Sequence, residues 1–272
     1  MRFSVLLPVL LLAAPLVLLA GCKKEAPAPQ PSASPTVAAS AAATPPPAPA
    51  GQARKVDESN DSYEFEYAYP AAADAIPALK ARLEADLVKQ RAKLATEAQE
   101  AMAEAKQNGY PYHPHSFSVD WKVVTDLPNW LSLSTIVATY EGGAHPNYHH
   151  DALLWDKAKG AQVAALDLFT GKQALSSALR KDFCAALDRQ REKKRQEPLK
   201  PGDMFTDCLD PLDYTVILGS AGHQGFDRIG VLVPPYEAGP YAEGAYEVTL
   251  PVTAKILALV KPEYRASFAA GR

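Results

Sequence analysis

The chain has 272 residues, and its 28 Lys and Arg residues against 31 Asp and Glu residues give a formal net charge of −3. A chain of this length can bury a sizeable core, as one domain or as two closely packed subdomains. The mild negative charge argues against nucleic acid as a partner, because binding nucleic acid calls for a basic stripe or patch.

The first 22 residues have the layout of a secretory signal peptide. An apolar run over residues 5–19 leads into the small residues Ala20 and Gly21, which precede Cys22. This ending resembles a bacterial lipobox, in which the cysteine sulfur is acylated and the cysteine becomes the mature N-terminus. We therefore predict that residues 1–21 are removed and that Cys22 is the site of lipidation. An uncleaved transmembrane helix is the alternative, but a span needs about 20 apolar residues.

The residues around and after Cys22 predict where the protein resides. Lys23 stands where an aspartate favours retention in the inner membrane of enteric bacteria. We therefore expect a lipid-anchored protein of the cell envelope, at the outer membrane and facing the periplasm rather than at the inner membrane. Residues 22–56 consist mostly of Ala, Pro, Ser and Thr, a composition that cannot offset the entropy lost on ordering. This composition predicts a disordered tether that holds a folded part away from the membrane.

Apolar periodicity predicts the first elements of the globular part, which begins at about residue 57. Alternating aromatic and polar residues over 63–69 predict a half-buried strand. Apolar residues three, four or seven positions apart predict a long helix that begins with Asp74 as its N-cap and stops at Asn108-Gly109. Residues rich in β-formers then predict further strands. These cover residues 117–123, 131–140, 153–155 and 163–168.

The second half of the chain contains a second helix, which an apolar stripe predicts over residues 174–192. The basic residues 189–195 at its end are interpreted as a solvated helix terminus. Strands are predicted over 214–218 and 228–233, and a short helix over 253–260. The mixed order of elements and the hairpin-length gaps predict an α+β fold with mostly antiparallel sheets, one long N-terminal helix and a second helix.

Two cysteines follow the lipidation site, Cys184 and Cys208. Outside the cytoplasm an even number of cysteines favours a disulfide. Closing a loop of about 25 residues stabilises a fold by roughly 3.5 kcal/mol on the chain-entropy estimate. A redox or nucleophilic thiol is the alternative, but neither cysteine lies in a C-x-x-C motif. We predict a structural bridge.

Three of the six histidines lie in one short segment, residues 142–151. They are His145, His149 and His150. Together with Asp151 they suggest a zinc site, but adjacent residues of a strand point to opposite faces, so His149 and His150 cannot easily bind one ion. The glycines and the proline of the segment indicate a tight connection between two strands instead. We predict no metal site, no cofactor and no catalytic residue.

Residues 233–248 combine prolines and glycines with three tyrosines, Tyr236, Tyr241 and Tyr246. The prolines and glycines predict a bend between two strands. Tyrosine rings with a polar hydroxyl suit either a packed corner of a fold or a contact surface. Both interpretations stay open from the sequence.

Three segments of the chain resemble, in the same order, a family of secreted bacterial domains. They are Gly142-Gly143-Ala144-His145-Pro146, Leu166-Asp167-Leu168-Phe169-Thr170-Gly171-Lys172 and the tyrosine-rich residues 233–248. Over about residues 62–260 the chain is similar to the paired domains DUF4163 and DUF3298, and to the extracytoplasmic part of the lysozyme-sensing anti-sigma factor of Gram-positive bacteria. The first domain type also occurs at the front of a peptidoglycan deacetylase. The resemblance implies two intimate subdomains, DUF4163-like at residues 57–157 and DUF3298-like at residues 158–268.

The resemblance also implies binding in the cell wall, because the anti-sigma factor binds lysozyme through the surface of this domain. We expect a lipid-anchored, non-catalytic binding domain. Its expected partners are the membrane, through the anchor, and a lysozyme-like protein or peptidoglycan. The predicted contact residues are His145, Pro146, Asn147, Tyr148, Tyr236, Glu237, Tyr241 and Tyr246. Two alternatives remain, an envelope hydrolase that acts on peptidoglycan or a related polymer through His145 and its neighbours, and a structural lipoprotein without a dedicated ligand.

Overall fold

Two β-sheets, each covered by a long helix, make up the part of the chain that the structure describes. The structure is a computed structural model, and it describes residues 50–200 and 202–271. It confirms the predicted α+β fold with mostly antiparallel sheets. The predicted signal peptide, the lipidation site Cys22 and the predicted tether as far as residue 49 lie outside the described residues.

The first sheet has seven strands within the described residues. They are β1 (Arg54–Ser59), β2 (Tyr63–Tyr69), β3 (His115–Asp120), β4 (Lys122–Leu127), β5 (Trp130–Tyr140), β6 (Asn147–Asp156) and β7 (Ala161–Val163). Their order is β1-β2-β3-β5-β6-β7, and β4 pairs with β5 as well. The pairing of β2 with β3 is parallel, and the other pairings in this sheet are antiparallel. A parallel pair needs a long crossover connection, and the first long helix of the chain lies in that connection.

Two helices, α1 (Ala71–Asp74) and α2 (Pro77–Asn108), connect β2 to β3. The predicted start of the long helix at Asp74 is wrong, because a residue that precedes proline disfavours the helical conformation. Ile76, which precedes Pro77, has a φ of −107° and a ψ of 101° and separates the two helices. Asp74 therefore does not cap α2, and its carboxylate pairs with the Lys80 ammonium at 2.7 Å instead.

The end and the buried face of α2 follow the sequence prediction. Gly109 ends the helix with a left-handed φ of 76°, the conformation that favours glycine. The apolar stripe of α2 packs against the aromatic residues of β2 and the apolar residues of β5 and β6. The leucines of this stripe are Leu79, Leu83, Leu87 and Leu94. No helix among the described residues combines the length and the apolar character needed to cross a membrane.

The second sheet consists of β8 (Thr215–Gly219), β9 (Arg228–Val233) and β10 (Tyr246–Pro251), in the antiparallel order β10-β9-β8. One face of this sheet packs against α3 (Lys172–Arg195) in a second core cluster, and α4 (Ala254–Leu257) closes the same cluster. The opposite face lies towards the first sheet, where the Thr215 hydroxyl donates to the His150 carbonyl at 2.9 Å. The layers are therefore α2, the first sheet, the second sheet and α3.

Residues 163–168 do not form the predicted strand. β7 ends at Val163, and a 3₁₀ helix spans Ala165–Leu168. The Asp167 N–H donates to the Ala164 carbonyl at 2.9 Å, so the chain closes a tight turn here instead of pairing with a strand. The apolar residues that suggested a strand are used to fill the second core cluster.

Other predicted boundaries also differ from the structure. The strand predicted over residues 153–155 is the end of β6, which begins at Asn147 and pairs with β5 along its length. The helix predicted over residues 253–260 is the shorter α4. The predicted tether extends to residue 56, whereas β1 begins at Arg54 because its residues pair with β2 from there on. Residues 117–123, predicted as one strand, are divided between β3 and β4, and Trp121 separates the two strands. The break arises because the Asp120 N–H donates to the Thr135 hydroxyl at 3.0 Å instead of to the backbone of β5.

The predicted disulfide between Cys184 and Cys208 is present, with the two Cα atoms 5.3 Å apart. It joins the middle of α3 to the segment that leads into β8. The bridge therefore ties this segment to the helix that carries the second core cluster.

We expect the double variant Cys184→Ala, Cys208→Ala to lower the free energy of unfolding by about 3 kcal/mol, because the unfolded chain regains the entropy of an open loop of about 25 residues. Urea unfolding followed by circular dichroism measures this loss. A reductant should lower the stability of the wild type by a similar amount and leave the double variant unchanged. Equal stability of the oxidised wild type and the double variant would contradict a stabilising bridge.

Candidate functional site

Two loops that lie far apart in the sequence meet at the surface. The first connects β5 to β6 and contains His145, and the second connects β9 to β10 and contains Tyr236 and Tyr241. The Nε2 atom of His145 lies 3.1 Å from the Tyr236 hydroxyl, although the two residues are 91 positions apart. Both loops were predicted as connections between strands, and the structure adds that they touch.

Four side chains form what we name the aromatic cluster: His145, Tyr148, Tyr236 and Tyr241. The His145 ring stacks on the Tyr241 ring, with centroids 3.8 Å apart and planes inclined by 20°. The Tyr236 and Tyr148 rings lie 5.4 Å and 6.3 Å from the Tyr241 ring, measured between centroids. The Tyr241 hydroxyl donates to the Pro146 carbonyl at 2.6 Å, which fixes the second loop to the first. The structure thus brings together four of the predicted contact residues in one unit.

Tyr236 is both exposed and held in an unusual backbone conformation. Its relative exposure is 53%, whereas the other rings of the aromatic cluster are half-buried. Its φ of 71° lies in the left-handed region, which bulky residues rarely adopt. Such a conformation costs on the order of 1–3 kcal/mol and persists only where surrounding contacts determine it. The backbone and the His145 contact therefore set the direction of an exposed ring.

The second loop, which connects β9 to β10, is hydrogen-bonded on its core side by Arg191, a fully buried residue of α3. Its Nε donates to the Ala238 carbonyl at 3.0 Å. Its Nη1 donates to the Asp207 carbonyl at 3.1 Å and to the Asp188 carboxylate at 2.9 Å. Burying a guanidinium is costly unless its donors are satisfied. Nε and Nη1 are satisfied, whereas Nη2 is buried without a hydrogen-bond partner among the described residues. The three contacts of Nε and Nη1 join the two loop segments to α3.

A second group of polar side chains holds the same loop at the end of α3. The Arg195 Nε donates to the Glu243 carboxylate at 2.9 Å, and the Tyr246 hydroxyl donates to that carboxylate as well. Burial acts to raise the pKa of Glu243, but the hydrogen bonds from Arg195 and Tyr246 outweigh it and lower this pKa. Burial, and after it the hydrogen bond to Glu243, raises the pKa of Tyr246 to about 12. The carboxylate is therefore charged and the phenol neutral near pH 7.

The basic end of α3 is only in part the solvated helix terminus that the sequence suggested. Arg191 and Arg195 lie four and eight positions after the buried Leu187, so they continue the face of the helix that packs on the core. Arg189, Lys193 and Lys194 are exposed, as predicted. The spacing of four residues is the sequence signal that would have identified Arg191 and Arg195 as internal.

The remaining predicted contact residues divide between surface and core. Pro146, Asn147 and Glu237 are exposed, and the Glu237 carboxylate accepts a hydrogen bond from the Tyr214 hydroxyl at 3.1 Å. Tyr246 requires a correction, because β10 directs its ring into the core beside α3, where it is fully buried. It supports the loop from within and does not touch a partner directly.

Both ring nitrogens of His145 lie close to oxygen atoms of neighbouring residues. Its Nδ1 lies 2.9 Å from the Pro146 carbonyl, and its Nε2 faces the Tyr236 hydroxyl. Over residues 50–200 and 202–271, no three His, Cys, Asp or Glu side chains are placed to hold a metal ion. His149 is exposed and His150 is buried, as the alternation of a strand predicts. The aromatic cluster therefore offers ring faces and hydroxyl groups.

Comparisons with known proteins concern the sequence and the fold. Residues 56–148 match the sequence model of the family described as "Deacetylase PdaC". No curated protein matches the chain. A solved structure of a DUF3298 family member from Bacteroides fragilis has 15% sequence identity and a TM-score of 0.50, and the match covers 80% of this chain and 97% of that chain. This chain has a DUF3298-type fold.

A second solved structure, of a DUF3298 family protein from Pseudomonas aeruginosa PAO1, has 13% identity and a TM-score of 0.45, with 82% of this chain and 98% of that chain covered. The DUF3298 part of the predicted resemblance is thus confirmed at the level of the fold. The resemblance to DUF4163 and to the anti-sigma factor stays a prediction, as does the subdomain boundary after residue 157.

We expect Arg191→Lys to lower the free energy of unfolding by about 2 kcal/mol, because one ammonium group cannot replace a guanidinium that donates to three separate acceptors. The matched control is Arg189→Lys in the same helix, where an exposed side chain makes the change cost less than about 0.5 kcal/mol. Urea unfolding of both variants measures the difference. Equal stability of the two variants would show that Arg191 does not hold the loops.

The backbone at Tyr236 gives a second prediction. Tyr236→Gly should be more stable than Tyr236→Ala by about 1 kcal/mol, because glycine adopts a positive φ without steric cost. Both variants lack the ring, so their difference in free energy of unfolding isolates the backbone. The same pair of substitutions at Tyr241, which lies in a 3₁₀ helix, should show the reverse order. If Tyr236→Ala were as stable as Tyr236→Gly, the positive φ at this position would carry no backbone strain.

Proposed function

We propose that this chain is a lipid-anchored, non-catalytic binding protein of the cell envelope, and that the aromatic cluster contacts its partner, a cell-wall glycan or a lysozyme-like protein. One observation supports the proposal most directly. Two loops separated by 91 positions converge to hold Tyr236 exposed at a φ of 71°. Stored strain at an exposed aromatic residue is typical of functional surfaces.

The chemistry of the aromatic cluster supports such a contact. Tyrosine rings provide a large apolar face with few rotatable bonds, and their hydroxyls provide hydrogen bonds at the edge. A ring whose direction is already set loses little conformational entropy when a partner binds. The apolar faces of sugar rings and the exposed side chains of a protein can both stack on Tyr236. The exposed Asn147 and Glu237 add polar groups nearby in the sequence.

The lipobox-like ending at Cys22 and the Ala- and Pro-rich residues that follow support the proposed location. An acyl anchor holds a protein at a membrane, and a flexible tether allows a binding domain to reach the material around it. The resemblance of the chain to cell-wall-binding domains supports the choice of partner. The proposed anchor and tether would place the aromatic cluster within reach of the cell wall, where the proposed partners occur.

We expect the full-length protein to be retained on purified insoluble peptidoglycan or on immobilised lysozyme, and Tyr236→Ala to weaken that retention about tenfold, as the loss of a central aromatic contact does. The matched control is Tyr110→Ala, because Tyr110 is similarly exposed, at 48%, and follows the end of α2. Sedimentation with peptidoglycan and calorimetry with lysozyme measure the affinities. Retention on neither material, or an equal loss in both variants, would rule out this surface as the binding site.

A further inference from the structure

The second sheet leaves part of the first sheet uncovered, and a cleft of about 470 Å³ remains between the two sheets. Its floor is formed by residues of β2 to β6, and its wall by residues of β8 to β10. The residues that matter here are Glu66, Asp120, Ile136, His150, Leu232 and Glu247. None of these belongs to the aromatic cluster.

His150 is the buried polar residue of this cleft. It is only 7% exposed, and its Nε2 atom has no hydrogen-bond partner among the described residues. Burial is the main cause that lowers the pKa of His150, so its imidazole is neutral near pH 7. A buried nitrogen without a partner costs about 1–3 kcal/mol, and rotation of the ring towards a ligand in the cleft would recover that cost.

Apolar surface lies directly beside His150. Ile136 is its partner across β5 and β6, and the Ile136 side chain is 47% exposed. Leu232 lines the wall that faces this floor. The cleft therefore combines an unpaired imidazole with a site for an apolar side chain.

Carboxylates dominate the charge of the cleft and its surroundings. A neighbouring groove of about 450 Å³ shares Glu66 and Ser118 with the cleft, so the two adjoin along the face of β1 to β3. We name the cleft and this groove together the channel. Five carboxylates line it, and two lysine ammonium groups lie among them, which leaves an excess of three negative charges. These residues are Asp57, Glu64, Glu66, Asp120, Glu247, Lys55 and Lys122.

The lysines leave the carboxylates available to a ligand. Lys55 pairs with Glu66 at 3.2 Å and with Asp57 at 3.4 Å, and Lys122 pairs with Asp120. All three pairs are exposed, and exposed ion pairs contribute only about 0.2–1 kcal/mol each. A cleft lined by charges of one sign concentrates ligands of the opposite sign. Glu247 has no ion pair among the described residues and lies on the wall of the cleft.

We propose that the channel binds a basic peptide segment in an extended conformation, with its lysine or arginine groups at Glu66 and Glu247 and an apolar side chain on Ile136. An extended chain places alternate side chains about 6.6 Å apart on one face. A short peptide can therefore present several side chains to a cleft that crosses several strands. The free imidazole of His150 accepts a hydrogen bond from the peptide. This site adjoins the aromatic cluster, since the Tyr148 ring lies 6.4 Å from the His150 ring between centroids. The proposal does not depend on the role of that cluster.

The test uses the full-length protein and isothermal titration calorimetry at low ionic strength. The probe is the peptide acetyl-Lys-Ser-Val-Ser-Lys-amide, whose two lysines and valine share one face when the chain is extended. The control peptide has glutamine in place of each lysine. We expect the lysine peptide to bind and the glutamine peptide to bind at least tenfold more weakly. The double variant Glu66→Gln, Glu247→Gln should lose about tenfold in affinity, whereas Glu104→Gln, an exposed position on α2, should lose none.

A steric variant separates binding in the cleft from general attraction to an acidic protein. Ile136→Trp fills the space beside His150 and should abolish binding of the lysine peptide, while Tyr236→Ala should leave it unchanged. Circular dichroism confirms that each variant is folded. No binding of the lysine peptide, equal binding of the two peptides, or full binding to folded Ile136→Trp would each overturn the proposal. Equal binding of spermidine would overturn the assignment to a peptide.

Discussion

The buried guanidinium of Arg191 is the interaction on which the surface of this protein depends. It donates to the Ala238 carbonyl, the Asp207 carbonyl and the Asp188 carboxylate, and so joins α3 to two loop segments that have no regular structure of their own. A buried charge is tolerated only where such acceptors surround it. The β9–β10 loop therefore has a fixed path. The direction of the exposed Tyr236 ring depends in this way on α3, which packs on the other face of the second sheet.

The order of the layers explains why the protein has two distinct surfaces. The first sheet buries its aromatic and leucine-rich face against α2, so its opposite face carries the polar side chains of the alternating strands. The second sheet covers that polar face only in part, because its own apolar face packs on α3. The uncovered part becomes the acidic channel. The loops at the strand ends, which the sheets do not cover, become the aromatic cluster.

Much of the fold could be predicted from local patterns, whereas its surfaces could not. The stripes of α2 and α3, the disulfide and the first two strands of the second sheet follow from spacing and composition. The contact between His145 and Tyr236 could not be predicted, because it depends on how two hairpins are placed in space. The burial of Arg191 was missed since arginine normally ends a helix in solvent, although its position four residues after Leu187 marks the inner face.

The disulfide bears on when the loops around the aromatic cluster reach their final path. Cys208 adjoins Asp207, whose carbonyl is one of the acceptors that surround Arg191. In a reducing compartment the bridge is absent, and the segment that carries this acceptor is joined to α3 by weaker contacts alone. Oxidation of the two thiols fixes this segment beside the guanidinium. The path of the β9–β10 loop is therefore coupled to the redox state of two cysteines that lie outside that loop.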